Sequence, residues 1–142
     1  MEIERLIREL ASIDHMLFVI GGGDAVSEMY TDGITEPTFD NGYATLESRS
    51  WHFHLKMDEV KGVQFVEAED HGTPMLYYVR FSNATEETLM RCYFPNPYLD
   101  ENDVAVEFQP DKLRAFEETR DRYVDQKGVV FVRRKREPTQ SS

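Results

Sequence analysis

The chain has 142 residues, 40% hydrophobic and 12% aromatic, with a formal net charge of −11 from 27 acidic and 16 basic side chains. That length and composition fit one globular domain with a real core, while the acidic balance excludes the basic footprint of a nucleic-acid binder and disfavours docking on anionic lipid. No apolar run approaches the roughly 20 residues of a membrane span, residues 1–11 lack the pattern of a secretory signal, and a single cysteine, Cys92, excludes an intrachain disulfide and a cysteine-type zinc site.

Ile3, Leu6, Ile7 and Leu10 follow the i, i+3, i+4, i+7 spacing of one apolar helix face. Strands are expected over 16–20 and 25–30. Between them, Gly21-Gly22-Gly23-Asp24 lacks both the Lys-Ser/Thr of a phosphate loop and the spacing of a dinucleotide fingerprint, so it reads as a flexible turn. Residues 37–42 read as a polar connector. Five further strands are expected over 43–47, 51–56, 62–68, 75–81 and 89–94, each rich in aromatic or β-branched residues and most bounded by turn signals. Their short spacing predicts an antiparallel meander in place of βαβ units. Cys92, inside the last of them, reads as a small packed hydrophobe.

Pro95 and Pro97 stop that strand, because proline cannot donate to a ladder. An acidic loop follows, and then Pro110 and Asp111 open a helix that runs to 124. Leu113, Phe116, Tyr123 and Val124 line its apolar side, with Glu117, Glu118 and Arg122 in solvent. A short strand over 129–132 completes the domain, taken as 1–132, and 133–142 reads as a basic and polar tail. The fold class is α+β: an antiparallel sheet with an N-terminal and a C-terminal helix.

The segment Ser50-Trp51-His52-Phe53-His54-Leu55-Lys56 holds two of the four histidines. Alternation along a strand places His52, His54 and Lys56 on one face and Trp51, Phe53 and Leu55 on the other. The apolar trio anchors the strand, and the opposite face offers two imidazoles and an ammonium to a metal-centred or anionic ligand. A zinc site built from His52 and His54 needs a third donor such as His71 or a carboxylate. The chain has no HExxH, no CxxC and no EF-hand ladder. A GxSxG elbow is missing as well, and no carboxylate pair stands out for acid–base work. No residue is assigned a catalytic role.

Haem asks for an axial imidazole, wide apolar surface and cations for two propionates. His52 and His54 supply imidazoles, Phe65, Tyr77, Tyr78, Phe81, Tyr93 and Phe94 supply aromatic surface, and Arg49, Lys56, Arg80 and Arg91 supply strand-borne charge. By composition alone the plainer reading is favoured, in which those aromatics form the sheet core and Arg80 and Arg91 sit on a solvated sheet face. The stretch Phe53-His54-Leu55-Lys56-Met57-Asp58-Glu59-Val60 resembles the haem-utilisation family of the HemS, ChuS and ChuX/HutX type, whose axial-histidine strand reads approximately Gly/Leu-His-Ile/Leu-Lys/Arg before a polar turn. Residues 63–69, the strands 75–81 and 89–94, and the helix 111–124 are similar to that family's later elements, so the likeness runs in order over about 17–124.

The resemblance implies a cytoplasmic, non-enzymatic haem carrier or store, with His54 as the axial ligand and His52 as its same-face neighbour; carboxylate recognition then puts Arg49, Lys56, Arg80 or Arg91 near the propionates. Some members supply a second histidine from an early strand, and the comparable place near Val19 has none. A haem-degrading enzyme on the same scaffold, a binding module for another flat apolar molecule, and a protein-interaction domain are the competing readings. Larger members contain two copies of the unit, so this single unit is expected to pair as a homodimer.

Overall fold

In a computed structural model of the chain, residues 2–21, 24–70 and 72–135 are described. The order is α1 (Ile3–Ala11), β1 (Leu17–Ile20), β2 (Ser27–Tyr30), β3 (Thr38–Asp40), β4 (Tyr43–Glu47), β5 (His52–Lys56), β6 (Gly62–Ala68), β7 (Leu76–Ser82), β8 (Thr88–Tyr93), α2 (Pro110–Tyr123) and β9 (Val129–Arg134). The α+β class expected from the pattern is the one observed. Two details differ from a simple meander.

The strands divide into two sheets: six in the order β2-β1-β8-β7-β6-β9, and three in the order β3-β4-β5. The last strand, β9, lies parallel to β6. Helix α2 is the cause. It packs Phe116 among the rings of Phe65, Tyr77, Phe94 and Phe131, at centroid distances of 6.0, 5.2, 5.4 and 6.4 Å. In doing so it carries the chain from β8 across the sheet to the far edge, where β9 runs alongside β6. Strand β9 also continues to Arg134, two residues into the expected tail; residues 136–142 lie outside the described residues, as do Gly22, Gly23 and His71.

The segment read as a polar connector contains β3. Asp40 pairs with Tyr43 across a two-residue loop, Asn41-Gly42, with φ of 52° and 83°. Two positive φ values are what a tight hairpin turn demands, and asparagine and glycine tolerate them best.

One core holds both sheets and both helices. Leu6, Ile7 and Leu10 of α1, Phe116 and Tyr123 of α2, Ala44, Leu46 and Leu55 of the small sheet, and Phe18, Val63, Phe65, Val79, Phe81, Met90 and Cys92 of the large sheet are all buried in it. The small sheet and the helices therefore cover one face of the large sheet. Cys92 sits there fully buried, and burial pushes its thiol well above the ordinary range. Tyr123 closes the seam between the helices by donating its hydroxyl to Glu9 Oε2 at 2.6 Å, beside an Arg122–Glu9 ion pair.

Candidate functional site

Strands β4 and β5 form a hairpin closed by a Ser48 N–H donating to the Trp51 carbonyl at 2.8 Å. Its inward face is apolar: Leu55 is buried, the Trp51 and Phe53 rings stack at 5.9 Å, and Phe53 meets Phe18 of β1 at 6.2 Å. That anchoring turns His52, His54 and Lys56 outward, where all three are exposed. Directly opposite them on β4 stand Glu47, Thr45 and Tyr43.

His54 is the oriented member of the pair. Its Nδ1 lies 2.8 Å from Thr45 Oγ1. With the proton on Nδ1, the ring donates to that hydroxyl and leaves the Nε2 lone pair for an iron or other metal. His52 presents its ring edge-on to His54, with centroids 5.5 Å apart. Arg49 is exposed in the β4–β5 turn, at the same end of the hairpin as His52. Among the described residues no group of three or more His, Cys, Asp or Glu side chains is gathered for a metal ion, and His71, the third donor considered for zinc, lies outside them.

Arg80 and Arg91 do not belong to this face. Both were expected on strands neighbouring the histidine strand, but β7 and β8 lie in the other sheet. They stand opposite each other in register and alternate with Val79, Phe81, Met90 and Cys92, which point into the core. The large sheet therefore separates both arginines from His54. Arg80 is tied down by Thr88 Oγ1 at 2.7 Å, Gln64 Oε1 at 2.8 Å and the Glu86 carbonyl.

Arg91 belongs instead to a groove of about 760 Å³ on the outer face of the large sheet. Leu17, Val19, Leu76 and Tyr93 form its floor, Tyr30 and His15 stand at one side, and the loop from Pro95 to Asp103 with Lys112 of α2 stands at the other. His15 Nδ1 lies 3.2 Å from Asp32 Oδ2, so that imidazole has a fixed partner. Burial raises the pKa of Tyr93, opposed by the nearby Arg91; burial raises that of Tyr30 too, helped by Asp103, Glu28 and Asp32. This groove was missed in the sequence because its residues come from β1, β2, β7, β8, α2 and the loops beside them. Its one local cue is the like-faced pair Leu17 and Val19 beside His15.

Both faces now have their geometry, and comparisons with known proteins place the chain among relatives. A protein-family model matches residues 4–126. The chain belongs to that family. No curated protein matches it in sequence. A protein from Agrobacterium tumefaciens is similar over 85% of this chain at 24% identity and a TM-score of 0.67, and the chain spans 66% of that protein's length. ChuX, described as a heme-binding protein, is similar over 82% of this chain and 69% of its own, at 12% identity, with a TM-score of 0.64. A protein from Erwinia carotovora is similar over 82% of this chain and 68% of its own, at 16% identity and a TM-score of 0.63. These likenesses show a shared fold. Among the described residues no helix is long and apolar enough to cross a membrane.

Proposed function

We propose that the chain binds haem on the outer face of the β3-β4-β5 sheet, with His54 as the axial ligand to iron. The observation that carries this reading is the His54–Thr45 contact at 2.8 Å, which fixes an exposed imidazole on a strand anchored from behind. Support comes from the match of Phe53-His54-Leu55-Lys56 to the family's histidine strand and from the haem-binding description of ChuX, which shares the fold. Haem when bound supplies the iron centre. His54 holds it, His52 tunes its surroundings, and Lys56 and Arg49 answer the propionate charge in place of Arg80 and Arg91.

The role proposed is that of a cytoplasmic carrier or store. The histidine face is open, with Tyr43, 42% exposed, as its large ring. One chain thus leaves much of a macrocycle in water, and a second copy of the chain is proposed to cover it.

Absorbance titration of the purified protein with haemin tests the reading, and a sharp Soret band saturating at one haem per chain is expected. No saturable band would defeat it. Adding a reductant and oxygen then separates carriage from degradation: a carrier keeps its haem spectrum, whereas loss of the Soret band with product formation assigns the enzyme. Sedimentation equilibrium should show a dimer, and a single species at 16.6 kDa would refute the pairing.

A further inference from the structure

The groove on the outer face of the large sheet is a second place where this chain has the makings of a ligand site, and its floor can be read row by row from the strand register. One row crosses Tyr30, Leu17, Tyr93 and Tyr78; the next crosses Glu28, Val19, Arg91 and Arg80. The first row is apolar and aromatic, with the Tyr78 and Tyr93 rings 4.7 Å apart. The second row puts two guanidinium groups side by side. Like charges directly opposite destabilise a sheet unless something answers them.

Arg80 is answered by Gln64, Thr88 and the Glu86 carbonyl. Arg91 is not. Its Nε is buried and has no hydrogen-bond partner among the described residues, and its Nη1 reaches only the Tyr93 hydroxyl, at 3.4 Å. A buried guanidinium donor without an acceptor is costly. No carboxylate among the described residues pairs with it, and Glu28 of the same row stands two strands away. Lys112, the other cation of the groove, is engaged by the Leu99 carbonyl at 2.8 Å.

We propose that this groove binds a small aromatic monocarboxylic acid, its ring on the Tyr30–Leu17–Tyr93 row and its carboxylate on Arg91. The two rows are two residues apart along each strand, about 7 Å, which suits a ring joined to its carboxylate by a short linker. A single carboxylate pairs with the accessible outer end of the Arg91 guanidinium, offsets the cost of its buried, unpartnered Nε and relieves the Arg80–Arg91 repulsion. The mouth is lined by Glu28, Asp32, Asp100, Glu101 and Asp103. Those five carboxylates repel polyanions and leave Arg91 as the place where one negative charge is welcome. This site lies across the large sheet from His54 and stands independently of the haem reading.

The test uses 3-phenylpropionate as the probe, titrated into the full-length ¹⁵N-labelled protein without haem. Saturable amide shifts are expected at Leu17, Val19, Arg91 and Tyr93. Arg91→Gln should weaken binding about tenfold or more, the usual effect of losing a hydrogen bond to a charged group. Tyr30→Ala, at an exposed position that tolerates truncation, should weaken it several-fold. Shifts scattered away from the groove, no saturation at millimolar probe, or unchanged affinity in a folded Arg91→Gln protein would each overturn the proposal. Prior loading with haemin distinguishes the sites: retained phenylpropionate binding supports two of them, and its loss refutes a separate groove site.

Discussion

The two outward faces of this molecule use the same alternation of side chains and reach opposite kinds of relief. On the small sheet, every inward residue of β5 is committed to the core and every outward one is polar, so His52, His54 and Lys56 stand on a flat, wet surface. On the large sheet, the outward residues of β1 and β8 are mixed. Leu17, Val19 and Tyr93 stay partly apolar, and the Pro95–Asp103 loop rises beside them to make a groove. The comparison separates orientation from enclosure. A flat face orients a ligand through one fixed bond, here His54 held by Thr45, while a groove does so by shape and by an unanswered charge at Arg91.

The strongest way to break the contrast is to undo the anchoring of the small sheet. Leu46 is fully buried between the sheets, and Leu46→Ala should cost about 2–5 kcal/mol in a denaturant titration. Haemin affinity should fall with it, because the hairpin that aims His54 loses its support. A smaller and more selective change is Thr45→Ala. It removes the hydrogen bond that holds the His54 ring and should lower haemin affinity about 10- to 100-fold, with the unfolding midpoint nearly unmoved. Unchanged affinity in that variant would mean that the ring needs no such orientation.

How much of this contrast was legible beforehand depends on distance along the chain. The partition of Trp51, Phe53 and Leu55 inward from His52, His54 and Lys56 outward follows from a period of two, which is local information, and the structure reproduces it. The Asn41-Gly42 turn is the strongest short hairpin signal there is, but residues 37–42 were read only as a polar connector, because the polar residues around it hid Phe39 and with it β3. The division into two sheets was not legible. Nothing near Met57–Glu59 says whether the chain continues one sheet or crosses to another; long-range packing of Leu46, Leu55 and Phe53 decides it. Arg80 and Arg91 were placed beside the histidines for that reason, and the groove stayed unseen because segments far apart in the chain, from β1 to α2, build it.

A pH series sharpens the groove side of the comparison. Tyr77 borders the groove while its ring packs on Phe116 in the core, and its pKa is pushed up to about 12, first by burial and then by Tyr98 and Glu67. An unfolded tyrosine ionises near 10, so the folded state holds the proton more tightly over that interval. Its contribution is complete below pH 10 and is lost as the pH rises toward 12. Stability should therefore decline over that window in wild type and less steeply in Tyr77→Phe; equal slopes would remove Tyr77 as the cause. The smallest effect belongs to the flat face. Lys56→Ala, at an exposed site, should change stability by no more than about 0.5 kcal/mol and weaken haemin binding modestly, more at low salt than at high.

The most direct measurement is a side-by-side haemin titration of wild type, His54→Ala and His52→Ala, each shown to be folded by circular dichroism. The Soret band should vanish or fall to nonspecific levels in His54→Ala and survive with a modest shift in His52→Ala. Full haem binding by the His54→Ala protein would remove His54 from the site and contradict the assignment.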